Sequence, residues 1–172
     1  QIRQADRYTF AGQYMQTPAP DEGGEWRKDW FEIIDKSELP PNIIWECFVD
    51  GAYTKDTKND PTGIQISGKS GNTLYILKSI DKYLEMPQLK TFIKSFIDAS
   101  GVNVRLTLVE PKASGKSLVQ IIRNETNIPI AEIKTNFVKI SKIERARSSS
   151  PYIESGRVKL VRGVWNDAFL KQ

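Results

Sequence analysis

The 172-residue sequence predicts an α/β domain built on a mixed β-sheet, and three observations lead to this prediction. Two apolar runs, at 43–49 and 104–109, each end directly at an acidic residue, as buried strands that stop at a sheet edge do. Two further strand-like segments follow the first run. An amphipathic helix then leads into the second run, and a strand reached through such a crossover is parallel to its partner.

The composition limits the chemistry that the chain can support. Hydrophobic residues make up 39% and charged residues 27%, which is typical of a globular domain, and no apolar run is long enough to cross a membrane. The sequence has no His and a single Cys, Cys47, which lies inside the first apolar run. A structural zinc site and a disulfide framework are therefore excluded, and a metal would be held by oxygen ligands, as Mg²⁺ and Mn²⁺ are.

The chain is predicted to consist of a linker, residues 1–42, and one domain, residues 43–172. Breaker residues fill positions 17–24, which cannot form regular structure. Trp26, Trp30 and Phe31 follow, and we expect them to pack the linker onto the domain.

The elements of the predicted domain follow from periodicity and breakers. An antiparallel meander is predicted from strands at 43–50, 62–67 and 73–80, with a hairpin turn at 68–72. A helix opens at Pro87 and leads to the strand that ends at Glu110. The remaining elements alternate: a helix around 118–122, a short strand at 128–133, a basic helix from 138 to about 148, a strand at 158–161 and a helix that starts at 165.

This order, β-β-β-α-β-α-β-α-β-α, is the pattern of an RNase H-like domain with a mixed sheet of about five to six strands flanked by helices. In that arrangement the first strand is central and lies beside the fourth. We therefore expect Asp50 and Glu110, which end these two strands, to lie side by side.

An acid pair at the edge of a sheet is typical of metal-dependent phosphodiester hydrolysis. Two divalent ions stabilise the attacking and leaving oxygens of an in-line displacement, and carboxylates hold them. Taken singly, Asp50 is more often a turn residue, since Asp-Gly is a common turn dipeptide. Glu110 stands before Pro111 and has no obvious structural task. The pair favours a metal site over two unrelated loop residues.

Basic residues near these acids are candidates for contacts with DNA phosphates. Lys112 follows Glu110 closely and would face either the scissile phosphate or solvent. Gly115-Lys116-Ser117 looks like the end of a phosphate-binding loop, but Glu110 occupies the position where that motif requires Gly, so Lys116 is assigned to DNA instead. Two interpretations, contact with DNA phosphates and an ordinary solvated surface, fit a further set of basic residues: Lys142, Arg145, Arg147 and Arg157.

Several stretches together resemble the C-terminal nuclease domain of the large terminase subunit of tailed bacteriophages, over most of the chain. The most specific is Val109-Glu110-Pro111-Lys112-Ala113-Ser114-Gly115, similar to the second acidic motif of that family. Residues 10–18 are similar to the segment that follows the ATPase part of the family, and residues 48–52 with 60–63 to its first acidic strand and hairpin. Residues 142–146 with 154–158 are similar to its Lys-x-x-Arg helix and Gly-x-Val strand.

The resemblance implies a metal-dependent endonuclease that cuts concatemeric double-stranded viral DNA during genome packaging. Asp50 and Glu110 would be ligands of two Mg²⁺ or Mn²⁺ ions, and residues 1–42 would link the domain to a preceding ATPase. The implied partners are viral DNA, the portal protein and the small terminase subunit, with no membrane. The implied location is the cytoplasm of the infected bacterial host. A chain encoded by a prophage would fit the resemblance equally well.

The sequence departs from the family at one point. The third acid of the family lies in an Asp-Asp motif after the last helix, and this chain has no Asp-Asp pair before it ends at Gln172. Asp167 falls in the helix before that motif. We expect the third acid to lie beyond residue 172, so that this fragment lacks the C-terminal end of the domain and binds metal weakly or not at all.

Two other functions remain compatible with the sequence. One is a different RNase H-like DNA nuclease, such as a transposase or a junction resolvase. The other is a non-catalytic module that binds DNA or the portal.

Overall fold

The computed structural model describes residues 26–51, 60–110, 113–134 and 142–171, without the side chains of 113–117, 142, 143 and 145. Its strands are β1 (Glu32–Ile34), β2 (Ile44–Asp50), β3 (Thr62–Ser70), β4 (Thr73–Lys82), β5 (Val104–Val109), β6 (Ile130–Glu132) and β7 (Val158–Val161). Its α-helices are α1 (Met86–Asp98), α2 (Ala113–Glu125), α3 (Lys142–Glu154) and α4 (Asn166–Phe169). None of the helices in these ranges is long and apolar enough to cross a bilayer.

The strands form one seven-stranded sheet in the order β1-β7-β4-β3-β2-β5-β6. Only β3 is antiparallel to its neighbours, and the other described strands all run in the same direction. This confirms the predicted meander of β2, β3 and β4 and the parallel pairing of β2 with β5. It also confirms the predicted mixed α/β sheet with the first strand of the meander beside the fourth predicted strand.

Two hydrophobic clusters cover the two faces of the sheet. On the α1–α2 face, Cys47, Val49 and Ile64 pack in the same cluster as Leu89 of α1 and Ile122 of α2. The α3–α4 face is covered by a second cluster that joins β4 and β7 to the two C-terminal helices: Leu74, Ile76, Ile153, Leu160 and Phe169. Since strand residues alternate between faces, membership of a cluster fixes the face of every neighbour along the strand.

The segment before β2 is part of the sheet. β1 pairs in parallel with β7, with Ile33 opposite Leu160. The indole N–H of Trp26 donates to the carbonyl oxygen of Ala146 and to the hydroxyl of Ser150, both at 3.2 Å. The rings of Phe31 and Phe169 meet edge to face with centroids 5.9 Å apart.

These contacts place the start of the domain before the predicted boundary between residues 42 and 43, because the described residues from 26 onward already pack in it. The expected packing of the aromatic side chains is present. The predicted linker character of residues 1–25 and the ATPase before them lie outside the described residues.

Smaller differences concern the ends of elements. The hairpin turn between β3 and β4 is confined to Gly71 and Asn72, with Gly71 at φ 58°, so residues 68–70 belong to β3. β4 continues to Lys82, two residues beyond the predicted end. α3 continues to Glu154 through Pro151.

Burial of Cys47 gives the folding stability a specific pH dependence. Burial raises the pKa of its thiol to about 12, so the folded chain keeps a proton that the unfolded chain loses above the ordinary thiol pKa. Stability should therefore fall as the pH rises from 8 to 10, by about 1.5 kcal/mol from this group alone. Urea unfolding at both pH values gives the change in the free energy of unfolding between pH 8 and pH 10 for the parent and for Cys47→Ala. The difference between these two changes is the contribution of the thiol. An equal change in both proteins would contradict it.

Candidate active site

The structure brings Asp50 and Glu110 to the same level on neighbouring strands. Asp50 is the last residue of β2, and Glu110 directly follows β5. Val49 lies opposite Val109 in the parallel ladder, and the backbone N–H of Glu110 donates to the carbonyl oxygen of Val49 at 3.1 Å. Since paired strands lie about 5 Å apart, the two acids start from adjacent backbone positions at one edge of the sheet.

Both acids lie on the α3–α4 face. Val49 and Val109 belong to the cluster on the α1–α2 face, so the next residue of each strand emerges on the other side. Glu110 is buried, with 4% of its surface exposed, whereas Asp50 is partly exposed. The pair therefore has one carboxylate inside the protein and one at its surface.

The topology of the sheet favours a ligand site at this edge. From β5 the chain continues through α2 to β6, on one side of the β2–β5 pair. After β6, α3 leads back across the sheet to β7, which lies on the other side of β2. β2 and β5 therefore flank the point where the connections diverge. In open α/β sheets, ligands bind outside the carboxyl ends of the strands at such a point.

Glycines keep the backbone close to the acids. A Cβ on Gly51 would lie 2.5 Å from both Cα and Oγ1 of Thr62, so only glycine fits between the end of β2 and the start of β3. Across the ladder, Asp50 lies opposite Gly63, which places no side chain next to its carboxylate. The Asp50-Gly51 dipeptide is a partial signal for this close approach, because it marks the end of a strand but does not indicate the contact with Thr62.

A further acid, Asp81, lies at the same level and was missed from the sequence. It is opposite Gly63 in the β3–β4 ladder, so Asp81 and Asp50 flank Gly63, with their strands about 10 Å apart. The continued alternation Ser79-Ile80-Asp81 was the signal that β4 extends this far. Within the described residues, no group of three or more acidic, Cys or His side chains is close enough to hold one metal ion.

The donor set of the acid pair fits a hard divalent cation. Two carboxylates with different exposure match Mg²⁺, which is bound through one or two carboxylates and keeps several waters or phosphate oxygens as its other ligands. The described residues do not provide a closed cage of protein ligands, so the pair is suited to a site that stays open to solvent.

The predicted DNA-binding residues are placed only in part. Lys112 lies outside the described residues, as do the side chains of Lys116, Lys142 and Arg145. Arg147 is exposed on α3, and α3 begins at the end of the sheet that carries the acids.

Arg157 is exposed at the opposite end of the sheet, because its carbonyl oxygen accepts from the N–H of Leu74 near the start of β4. It is therefore about 20 Å along the strands from the acid pair. The roles of Arg147 and Arg157 in DNA binding stay predictions.

Solved structures of large terminases share this fold. The chain resembles the large terminase of the thermophilic bacteriophage D6E in two crystal forms: TM-score 0.59 at 11% identity over 86% of this chain and 38% of that protein, and 0.57 at 13% identity over 80% and 32%. It also resembles the large terminase nuclease from thermophilic phage G20c with bound magnesium, at TM-score 0.55 and 11% identity over 84% of this chain and 77% of that one.

The chain spans about a third of the length of the D6E protein. No protein-family model and no curated protein matches the sequence. At this level of identity the similarity establishes the fold, which is that of large terminase nuclease domains, and confirms the predicted RNase H-like arrangement.

The close approach at Gly51 gives a prediction for the edge that carries the acids. Gly51→Ala should lower the free energy of unfolding by about 1–3 kcal/mol, because the added methyl group displaces the Thr62 backbone. Thermal or urea unfolding measures the loss. Gly71→Ala is the control for a glycine with no atom within 4 Å of the added Cβ, although its positive φ carries its own cost. A Gly51→Ala protein as stable as the parent would contradict the tight packing at this edge.

Proposed function

We propose that the chain is the nuclease domain of a DNA-packaging terminase, and that Asp50 and Glu110 hold the divalent metal with which it hydrolyses double-stranded DNA. The observation that carries this proposal is the register of β2 and β5, which puts the two acids side by side at the carboxyl edge of the sheet. The shared fold with the magnesium-bound G20c nuclease supports it.

The bound ion would supply positive charge for the phosphate oxygens and a lowered pKa for an attacking water. Each acid has a separate part in holding it. Glu110, fixed by its backbone hydrogen bond and buried, would hold the ion from inside the protein. Asp50, at the rim, would hold the side that the phosphate approaches. Both are on strand ends, which keep their geometry better than loops.

A second ion requires more ligands than this pair. Double-stranded viral DNA is the proposed substrate, which agrees with the net charge of +4 and the pI near 9.1. The portal protein and the small terminase subunit are the partners that a packaging role would require.

Removal of either acid should abolish DNA cutting. Asp50→Asn and Glu110→Gln keep the side-chain size but remove the charge that holds the metal, so we expect plasmid cutting with Mn²⁺ or Mg²⁺ to fall at least 100-fold. The assay uses supercoiled plasmid, with the 172-residue chain and with the polypeptide from the intact reading frame. Asp98→Asn, an exposed acid paired with Lys94 on α1, is the matched control.

Each possible result of the cutting assay decides between the functions. Full activity of Asp50→Asn would contradict the proposal. A strong preference for a branched junction over plasmid would favour a resolvase. Salt-dependent DNA binding without cutting, unchanged in Glu110→Gln, would favour a non-catalytic module.

Metal binding should also stabilise the folded chain. At ten times its dissociation constant, Mg²⁺ should add about 1.4 kcal/mol, which corresponds to a rise in Tm of roughly 3–6 °C. Differential scanning fluorimetry with increasing Mg²⁺, followed by excess EDTA, measures the rise and its reversal. Asp50→Asn should show no rise, and an equal rise in this variant would place the metal elsewhere.

A further inference from the structure

One buried polar side chain near the acid pair has no role in the proposed site. Gln65, in the middle of β3, is only 2% exposed, and its Nε2 atom has no hydrogen-bond partner among the described residues. A buried donor without a partner loses its hydration with no compensating bond, which destabilises the folded state. Native proteins retain few such groups, so this one calls for an explanation.

The register places Gln65 and Asp50 on the same face of the sheet as diagonal neighbours. Asp50 lies opposite Gly63 and Phe48 lies opposite Gln65, with no shift in the β2–β3 ladder. Ile64 and Ile66, on either side of Gln65, belong to the cluster on the α1–α2 face, so Gln65 is on the α3–α4 face with Asp50.

The distance between the two positions is suitable for a side-chain contact. Diagonal neighbours in an antiparallel pair are about 7–8 Å apart, within reach of a long side chain. Gly63, which lies opposite Asp50 and precedes Gln65 on this face of β3, has no side chain that would occupy the space beside them.

We propose that Gln65 is a positioning residue for Asp50: when a cation binds, Nε2 of Gln65 donates a hydrogen bond to the carboxylate oxygen of Asp50 that faces away from the metal. The inference rests on the proposed function. The cation would fix the orientation of the Asp50 carboxylate, and the buried amide would then have an acceptor that the other described residues do not provide.

An outer partner of this kind affects metal affinity in a measurable way. A hydrogen bond to a ligating carboxylate fixes its rotamer, and loss of such a partner typically weakens metal binding 10–100-fold. A purely structural amide has the opposite signature, since replacement of an unpartnered buried donor by an apolar group of similar shape is close to neutral for binding and for stability.

The first test compares two buried polar residues on the same strand. Gln65→Met keeps the length of the side chain and removes the amide. Ser67→Ala removes another buried atom without a described partner, two residues further from Asp50 on the same face. We expect Gln65→Met to weaken Mn²⁺ binding 10–100-fold, measured by electron paramagnetic resonance of free Mn²⁺. Ser67→Ala should stay within twofold of the parent, and the Tm of both metal-free variants should equal or exceed the parental value.

An affinity of Gln65→Met within twofold of the parent would overturn the inference, and so would equal losses in both variants, which would indicate a general packing effect. A second measurement does not depend on the folding of a variant. In ¹⁵N-labelled parent protein, the side-chain amide signals of Gln65 should shift downfield during a Mg²⁺ titration, and signals that do not move would also overturn the inference.

Asp50→Asn separates this inference from the proposed function. If Asp50→Asn binds Mn²⁺ as tightly as the parent does, the proposed function fails. If Asp50→Asn loses binding while Gln65→Met keeps it, only the role of Gln65 fails.

Discussion

The parallel pairing of β2 with β5 is the constraint on which the rest of the site depends. The ladder places Cys47 opposite Thr107 and Val49 opposite Val109, and all four residues are buried. A slip of one residue would turn an entire strand over and move its terminal acid to the other face. The apolar packing on the α1–α2 face therefore fixes the positions of the carboxylates on the opposite face.

The edge that carries the acids is built from features that do not favour stability. Glycines occupy positions 51 and 63, where the backbone must come close or leave space. A carboxylate is buried at position 110, and an amide at position 65 has a donor without a described partner. Burial of polar groups at one edge is costly, and such costs are commonly found at functional sites. The opposite face, with its continuous apolar cluster, provides the compensating stability.

Periodicity and the order of the elements predicted much of the fold from the sequence. Apolar runs located β2 and β5, and the crossover rule gave their parallel direction. The RNase H-like order of elements then placed the two strands, and with them Asp50 and Glu110, side by side. β1 was missed because Glu32-Ile33-Ile34 is too short for a periodic signal and its partner β7 is at the far end of the chain.

Gln65 was missed for another physical reason. The alternation Ile64-Gln65-Ile66-Ser67 predicts that the polar residues face solvent, but these positions are buried. Whether helices cover the second face of a strand is a property of the whole fold and is not encoded in the pattern of that strand. For the same reason, no local pattern indicated that Arg157 lies at the opposite end of the sheet from the acids.

The central claim is that Asp50 and Glu110 form a single site, and a double-mutant cycle on Mn²⁺ affinity tests it most directly. Affinities would be measured for the parent, Asp50→Asn, Glu110→Gln and the variant with both changes. If both carboxylates hold one ion, each single change removes most of the binding and the second adds little, which gives a strongly non-additive cycle. Additive losses, or a single change without effect, would mean that the two acids do not share a metal.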